Sequence, residues 1–138
     1  MSRVSTYLNF PGTTEEAVAF YADVFGTSVR DLQRFGEAPD LPPLGPGEAD
    51  RVLHVEVEIL AGHVLQATDL LVSLGHEQRI GNNVTIALEP DTRAEADRLY
   101  GRLSEGSTEA TGMSQMFFGY WGTCLDRFGV RWMINHAG

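Results

Sequence analysis

The sequence contains one cysteine, Cys124, and no lysine among its ten basic residues. A single cysteine excludes an intrachain disulfide and leaves too little sulfur for a cysteine-based zinc site. Because Cys124 lies in an apolar run, we expect its thiol to be an inert part of the core. We attribute the absence of lysine to a bias of the source genome and draw no chemistry from it.

Long apolar runs are also absent, and the first ten residues contain no apolar segment like that of a signal peptide. The formal net charge is −9, and no stretch combines arginines with aromatic side chains. Nucleic acids and anionic membranes are bound by basic patches, so this charge argues against both as partners. We therefore expect a soluble cytoplasmic protein that binds neither nucleic acid nor membrane.

The hydrophobic pattern predicts two helices, each preceded by one strand and followed by three. The first helix is expected to be capped by Thr13 or Thr14 and to end at Gly26, and the second to begin at Pro90 and carry apolar residues to Leu103. The predicted strands cover residues 4–10, 27–35, 51–60, 63–68, 84–88, 107–111, 117–125 and 130–135.

The pattern of the first half restarts in the second half. When the chain is shifted by 79 positions, identical residues meet at Pro11, Thr13, Glu16, Ala17 and Tyr21. Neither half is large enough to build a sizeable core alone, so the two sheets should pair. The sequence therefore predicts an α+β fold with two βαβββ modules, residues 1–75 and 76–138, which together form one compact domain.

A proline- and glycine-rich loop, residues 36–50, interrupts the first module. It is longer than most connections between secondary-structure elements, so it either covers a ligand site or is a flexible surface loop.

Four segments carry a family resemblance, and together they cover nearly the whole chain: YLNFPGTTEEAVAFYADVFG (7–26), RVLHVEVEI (51–59), EADRLYGRLSEG (95–106) and FFGYWGTCLDRFGVRWMIN (117–135). This combination resembles the PhnB-like branch of the vicinal-oxygen-chelate superfamily, which includes glyoxalase I, bleomycin-resistance proteins and extradiol dioxygenases. The resemblance implies mixed, curled sheets that form cups, and a homodimer. Some relatives are called demethylubiquinone methyltransferases, but this sequence offers no site for a methyl donor.

The resemblance also implies where a metal would be bound. Metal enzymes of the superfamily place His, Glu or Gln at four positions, which fall here at Thr6, Gln66, Asn83 or Thr85, and Met133. Zinc, iron and manganese prefer imidazole or carboxylate ligands, and a thioether is a poor ligand for all three. We therefore expect no metal at these positions and no bound cofactor.

His54 and Glu56 are two residues apart on a predicted strand, so their side chains point the same way, roughly 7 Å apart. Such a pair can form a weak metal site or act as a general acid and base. Alternatively, the two residues belong to a polar sheet face without function, opposite a core face of Leu53, Val55, Val57 and Ile59. Gln66 lies opposite Glu58 or points away, because the intervening turn is compatible with two registers.

The closing strand pair is rich in aromatic residues, and its last strand places Val130, Trp132 and Ile134 on one face and Arg131, Met133 and Asn135 on the other. Small-molecule pockets are mostly apolar with a few polar contacts. The aromatics fit such a wall, although a dimer interface or plain core also explains them. The candidate pocket residues are His54, Glu56, Gln66, Phe117, Trp121, Arg131 and Met133.

Three functions remain open at this point. The chain is a binder of a small organic molecule that needs no metal, a metal-dependent lyase, isomerase or dioxygenase of the superfamily, or a metal-free enzyme with His54 or Glu56 as acid or base. The metal-dependent enzyme would have to use ligands other than the four superfamily positions, and His54 and Glu56 are the candidates.

Overall fold

The computed structural model describes residues 1–138, and the chain divides into two compact units, residues 1–79 and residues 80–138. Each unit contains one helix and one mixed sheet, which confirms the α+β prediction of two modules. Neither helix has the length and apolar character that crossing a membrane requires.

The helices are α1 (Thr14–Phe25) and α2 (Arg93–Leu103). The strands are β1 (Thr6–Phe10), β2 (Val29–Arg34), β3 (Val52–Glu58), β4 (Val64–Asp69), β5 (Ile86–Leu88), β6 (Glu109–Ala110), β7 (Ser114–Met116), β8 (Gly119–Leu125) and β9 (Arg131–His136).

The sheet of the first unit has the strand order β1-β4-β3-β2, with β1 parallel to β4 and the other pairs antiparallel. Helix α1 lies against β3 and β4. Ala17, Val18, Tyr21 and Val24 of the helix are at most 1% exposed, and their spacing of three and four residues is what places them on one side. This packing leaves the opposite face of the sheet to polar side chains.

The sheet of the second unit has the order β5-β9-β8-β6, and β7 pairs with the same edge of β8 as β6 does. Strands β6 and β7 together occupy one edge position, interrupted at residues 111–113, where Gly112 has a φ of 76°. The prediction of a strand over 117–125 was wrong at its start, because Phe117 and Phe118 form the turn between β7 and β8. The core face predicted for the last strand is confirmed, since Trp132 and Ile134 are fully buried.

A buried carboxylate, Asp69, connects the start of α1 to the sheet of the first unit. Its Oδ1 accepts hydrogen bonds from the N–H groups of Gly12 (3.1 Å) and Thr14 (3.0 Å), and its Oδ2 accepts one from Val52 N–H (2.8 Å). Thr13, which was expected as a cap, makes no side-chain cap bond. A residue from the end of β4 therefore satisfies N–H groups at the start of α1, and sequence spacing could not indicate it.

The carboxylate of Asp126 accepts a comparable set of hydrogen bonds in the turn before β9. One of its oxygens accepts hydrogen bonds from the N–H groups of Phe128 and Val130, both at 2.9 Å, and the other accepts one from Trp132 Nε1 at 2.8 Å. Only 4% of Asp126 is exposed. The carboxylate therefore fixes both the turn and the rotamer of the largest buried side chain of this unit.

Two irregularities interrupt the pairing of β2 with β3. Arg30 pairs with Glu56, Gln33 with His54, and Arg34 with Val52, so each strand contains one extra residue. The extra residue on β3 is Leu53, which is half-buried, whereas Val52 is buried. The assignment of Leu53 to the core face was therefore wrong, because a bulge shifts the alternation of side chains by one residue.

The loop at residues 36–50 is attached to the first unit by Glu48. This carboxylate is 5% exposed and accepts hydrogen bonds from Gly45 N–H, Ser73 N–H and the Ser73 hydroxyl. The Ser73 hydroxyl and then the Gly45 N–H lower the pKa of Glu48 below its usual value, against the opposing effect of burial. The loop is therefore fastened at its end to the segment that follows β4.

Substitution Asp69→Asn should destabilise the protein by about 2–4 kcal/mol, because the amide offers one acceptor oxygen where the carboxylate serves three N–H groups. The free energy of unfolding in urea measures the loss. The control is Asp40→Asn in the exposed loop, which should change stability by less than about 0.5 kcal/mol. Equal effects of the two substitutions would contradict the role given to Asp69.

Substitution Glu48→Gln should lower the melting temperature at pH 7 and have a smaller effect in acid. Because the folded-state pKa of Glu48 lies below its unfolded value of about 4.3, its stabilisation is present above that value and disappears as the pH falls through the folded pKa. Melting curves of both proteins from pH 7 down to pH 3 measure the difference. A difference that stays constant with pH would show that the charge of Glu48 is unimportant.

Candidate functional site

The polar face of the first sheet brings together three of the residues predicted from the sequence. Gln66 pairs with Glu56 on one side and with Tyr7 on the other, and Glu56 pairs with Arg30. This register decides between the two that the sequence left open, since Glu58 pairs with Val64. Because paired residues share a face of the sheet, one row of side chains crosses all four strands. We call this row, together with His54, the first-module face.

Glu56 is the centre of a charged cluster on the first-module face. Its Oε1 lies 3.4 Å from Nη1 of Arg3 and 3.4 Å from Nη2 of Arg30, and its Oε2 lies 3.6 Å from Nε2 of His54. The His54 ring also lies 6.2 Å, centroid to centroid, from the ring of Tyr7. Only 13% of the Glu56 side chain is exposed. We call Arg3, Arg30, His54 and Glu56 the Glu56 cluster.

Two opposing influences set the pKa of Glu56. Burial raises it, but the hydrogen bond and charge of Arg3, the contact with His54 and the charge of Arg30 together lower it below its usual value. The group is therefore a carboxylate at neutral pH and a weak base. It can hold cations in place more readily than it can accept a proton from a substrate.

Thr6 does not share a face with Gln66. It pairs with the fully buried Leu65, one residue out of step with the pair of Tyr7 and Gln66. A one-residue step reverses the side of a strand, so Thr6 points away from the first-module face, and its hydroxyl lies 2.9 Å from Nε2 of His63. Of the two superfamily positions in this unit, only Gln66 belongs to the polar face.

In the second unit, Met133 lies between Ala87 and Thr123 in the sheet. Trp121 pairs with Asn135 in the neighbouring row, and the alternation of β8 and β9 puts them on the side of Met133. Asn83 and Thr85, the two alternatives for the third superfamily position, are both exposed and precede β5. No carboxylate or imidazole occupies any of the four positions.

The donor atoms at these positions do not fit the metal that the superfamily implies. They comprise a carboxamide, hydroxyls and a thioether, whereas divalent zinc, iron and manganese are held by imidazole and carboxylate groups. Elsewhere, no group of three or more His, Cys, Asp or Glu side chains is arranged to hold a metal ion. His54 and Glu56 by themselves provide two potential ligands. We therefore assign no chemical step to a metal.

A cavity of about 330 Å³ lies on the second unit beside Arg131. Arg131 donates from Nε to the carbonyl of Gly81 (2.7 Å) and from Nη2 to Oε2 of Glu109 (3.0 Å). The guanidinium therefore connects the segment before β5 to the edge strand β6. We call this space the second-module cavity, and its lining residues are Asn82, Thr85, Glu109, Ala110, Thr111, Thr123, Cys124, Arg131 and Trp132.

Comparison with known proteins places the chain in a family. A family model described as 3-demethylubiquinone-9 3-methyltransferase matches residues 2–135. The chain belongs to this family. The resemblance drawn from the sequence is confirmed at the level of this family and of the fold that the structural neighbours below share.

Three solved structures illustrate the relationship. Protein PA1353 from Pseudomonas aeruginosa is 27% identical with a TM-score of 0.84, covering 99% of this chain and 98% of its own. The PhnB protein from Bacillus cereus is 22% identical with a TM-score of 0.81, covering 99% and 100%. A glyoxylase/bleomycin resistance protein/dioxygenase domain from a Frankia species is 14% identical with a TM-score of 0.66, covering 100% and 99%. The last two show the shared fold.

The family's description mentions methyl transfer, which implies a methyl donor. Nucleotide-containing cofactors are often held by the N–H groups at the start of the helix that follows the first strand. In this family member, the buried carboxylate of Asp69 already occupies the N–H groups of Gly12 and Thr14 at that place. The residues present do not fit such a donor there, and we derive no methyl transfer for the chain.

The aromatic residues predicted for a pocket wall differ in their exposure and in their contacts. Phe117 is fully exposed at the turn before β8 and does not line the second-module cavity. Phe118 contacts both Phe117 and Trp121 edge to face, at 5.1 and 6.2 Å between ring centroids. The turn therefore carries an exposed aromatic group of its own, separate from the cavity lining.

Sequence reasoning missed Arg3 and Arg30 in the first unit and Glu109 in the second. Arg3 precedes the first strand, and nothing in its neighbourhood indicates a partner 53 residues later. Arg30 carried a usable signal, because an arginine in a predicted strand next to the strand of His54, Glu56 and Glu58 has carboxylates to face. Glu109 became recognisable only through its bond to Arg131.

Cys124 should react with thiol reagents very slowly in the folded protein. Burial, followed by the charge of Asp126, raises the pKa of its thiol to about 11, and the residue is 3% exposed. Because the thiolate is the reactive form, colour development with a disulfide reagent at pH 8 should be slow in buffer and rapid in guanidinium chloride. Equally rapid reaction of folded and unfolded protein would contradict this assignment.

Proposed function

We propose that this PhnB-like protein binds a small organic molecule in the second-module cavity and that it does so without a resident metal ion. The observation that carries the proposal is the cavity itself, about 330 Å³ beside a fixed guanidinium. Ligand sites in proteins have volumes of about 300–1,000 Å³ and a few placed polar groups. The cavity is at the lower end of that range, which favours a small ligand.

The lining of the cavity indicates what the ligand offers. Arg131 is held by one carbonyl and one carboxylate, so its guanidinium is fixed before any ligand arrives. A fixed polar group loses little conformational entropy on binding. The hydroxyls of Thr85, Thr111 and Thr123 and the amide of Asn82 add donors and acceptors. This set suits a polar molecule that carries at least one oxygen acceptor.

Two alternatives receive less support. A metal-dependent enzyme would need a third ligand beside His54 and Glu56, and no cluster of three is present. A metal-free enzyme would use His54, because the lowered pKa of Glu56 makes that carboxylate a poor base at neutral pH. Either alternative places the chemistry on the first-module face and not in the second-module cavity.

A homodimer, implied by the family resemblance, is part of the proposal. The fully exposed Phe117 and the partly exposed Phe118 and Met116 support it, because neighbouring exposed apolar side chains mark contacts with another protein.

Substitution Arg131→Gln should reduce the stabilisation that a bound ligand gives. In a screen of small polar organic molecules, a true ligand raises the melting temperature of the wild type by mass action. The variant should bind that ligand about tenfold more weakly, because a hydrogen bond from a charged group is lost. The matched control is Arg98→Gln on α2, which removes the same charge outside the cavity. Equal ligand response of both variants would locate binding elsewhere.

The metal-independent part of the proposal has its own measurement. Elemental analysis of the purified, untagged protein should find far less than one zinc, manganese, iron or nickel per chain. Chelator or added divalent metal should leave both the melting temperature and the response to the ligand unchanged. Near-stoichiometric metal, together with a shift of the melting temperature on chelation, would contradict binding without a metal. His54 and Glu56 would then be the candidate metal ligands.

A further inference from the structure

We propose that the Glu56 cluster is an oxyanion-binding site, which takes a phosphate or carboxylate group between Arg3 and Arg30. The site lies on the first-module face and is independent of the second-module cavity. The oxyanion is either free or a group of a small organic molecule, and both share the chemistry that two guanidinium groups recognise.

The charge balance of the cluster is the first support. Arg3 and Arg30 contribute two positive charges against the single negative charge of Glu56. The whole chain carries a formal charge of −9, so this local excess of positive charge runs against the rest of the molecule. An anion would neutralise this local excess.

The second support is that the donors of the cluster are poorly used. Both arginines approach the same oxygen of Glu56 at 3.4 Å. By contrast, Arg34 donates two hydrogen bonds of 2.9 and 3.0 Å to the carboxylate of Glu15. Because charge-assisted bonds are normally about 2.7–2.9 Å long, Glu56 holds the two guanidinium groups near each other without saturating them.

The third support is the backbone next to Arg30. Asp31 has a φ of 56°, which is uncommon for a residue other than glycine, and it lies at the extra residue of β2. Bulges of this kind redirect neighbouring side chains. Here the bulge begins directly after the pair of Arg30 with Glu56. The backbone at the bulge therefore fixes the direction in which the Arg30 side chain leaves the edge of the sheet.

Tyr7 bears on the source of the anion. The residue is 49% exposed, its ring lies beside the ring of His54, and it belongs to the same row of side chains as Glu56. An organic molecule with an anionic group would place its apolar part against this ring. An inorganic anion would not use the ring.

The test is calorimetric titration of the full chain with inorganic phosphate at constant ionic strength. Arg3→Gln and Arg30→Gln should each weaken phosphate binding by about tenfold. Glu56→Gln should strengthen it, because the competing negative charge is removed while an amide oxygen remains to hold the two guanidinium groups near each other. Arg98→Gln is the matched control, which loses the same charge on α2 and should bind like the wild type. Melting temperatures without phosphate show that each variant is folded, and Arg3, half-exposed before the first strand, can be replaced without disturbing the sheet.

The outcomes separate clearly. Binding that is weakened by both arginine substitutions and strengthened by Glu56→Gln supports the site. Binding that is absent, equal in all variants, or weakened by Glu56→Gln overturns it. A parallel titration with phenyl phosphate identifies the source: tighter binding than phosphate indicates a group on an organic molecule, and equal binding indicates a free oxyanion. Failure of the ligand screen for the second-module cavity would leave these results unaffected, because the probe and the substituted residues differ.

Discussion

The buried carboxylate of Asp69 is the interaction on which the first unit depends. It accepts three backbone hydrogen bonds, two from the start of α1 and one from the start of β3, and it is itself the last residue of β4. A helix packs on a sheet through a nonspecific apolar surface, which alone would allow it to slide or rotate. The carboxylate removes that freedom by fixing where the helix begins. Asp126 serves the second unit in a similar way at the turn before β9.

Fixing the helix on one side of the sheet determines what the other side can be. Because side chains alternate along each strand, residues adjacent to Val55, Val57 and Leu65 must face away from α1. Glu56 and Gln66 therefore meet in one row, and the row extends to the edge strands on both sides. The polar face is thus a geometric consequence of the core, and the properties of its charged members arise from neighbours on different strands.

Much of this was accessible from the sequence. The periodicity of α1, the glycine at its end and the buried face of β9 all followed from local patterns, because each depends on residues a few positions apart. What could not be predicted depends on pairs that are distant in the chain. The cap of α1 comes from Asp69, the partner of Glu56 is Arg3, and the bulge at Leu53 exists only in the pairing of two strands. The face of Thr6 depends on the register between β1 and β4, which are far apart in the chain.

The bulge in β2 has an implication for how such a surface evolves. Arg30 and Gln33 are three residues apart, yet they pair with Glu56 and His54, which are two residues apart on one face, because the bulge accommodates the additional residue. If the same residues formed a regular ladder from Gln33 onward, Arg30 would lie on the other side of the strand, and its positive charge would move from one side of the sheet to the other. The bulge therefore determines the electrostatics of this surface without the substitution of any charged residue. Relatives that pair this strand without a bulge are expected to differ in what they attract.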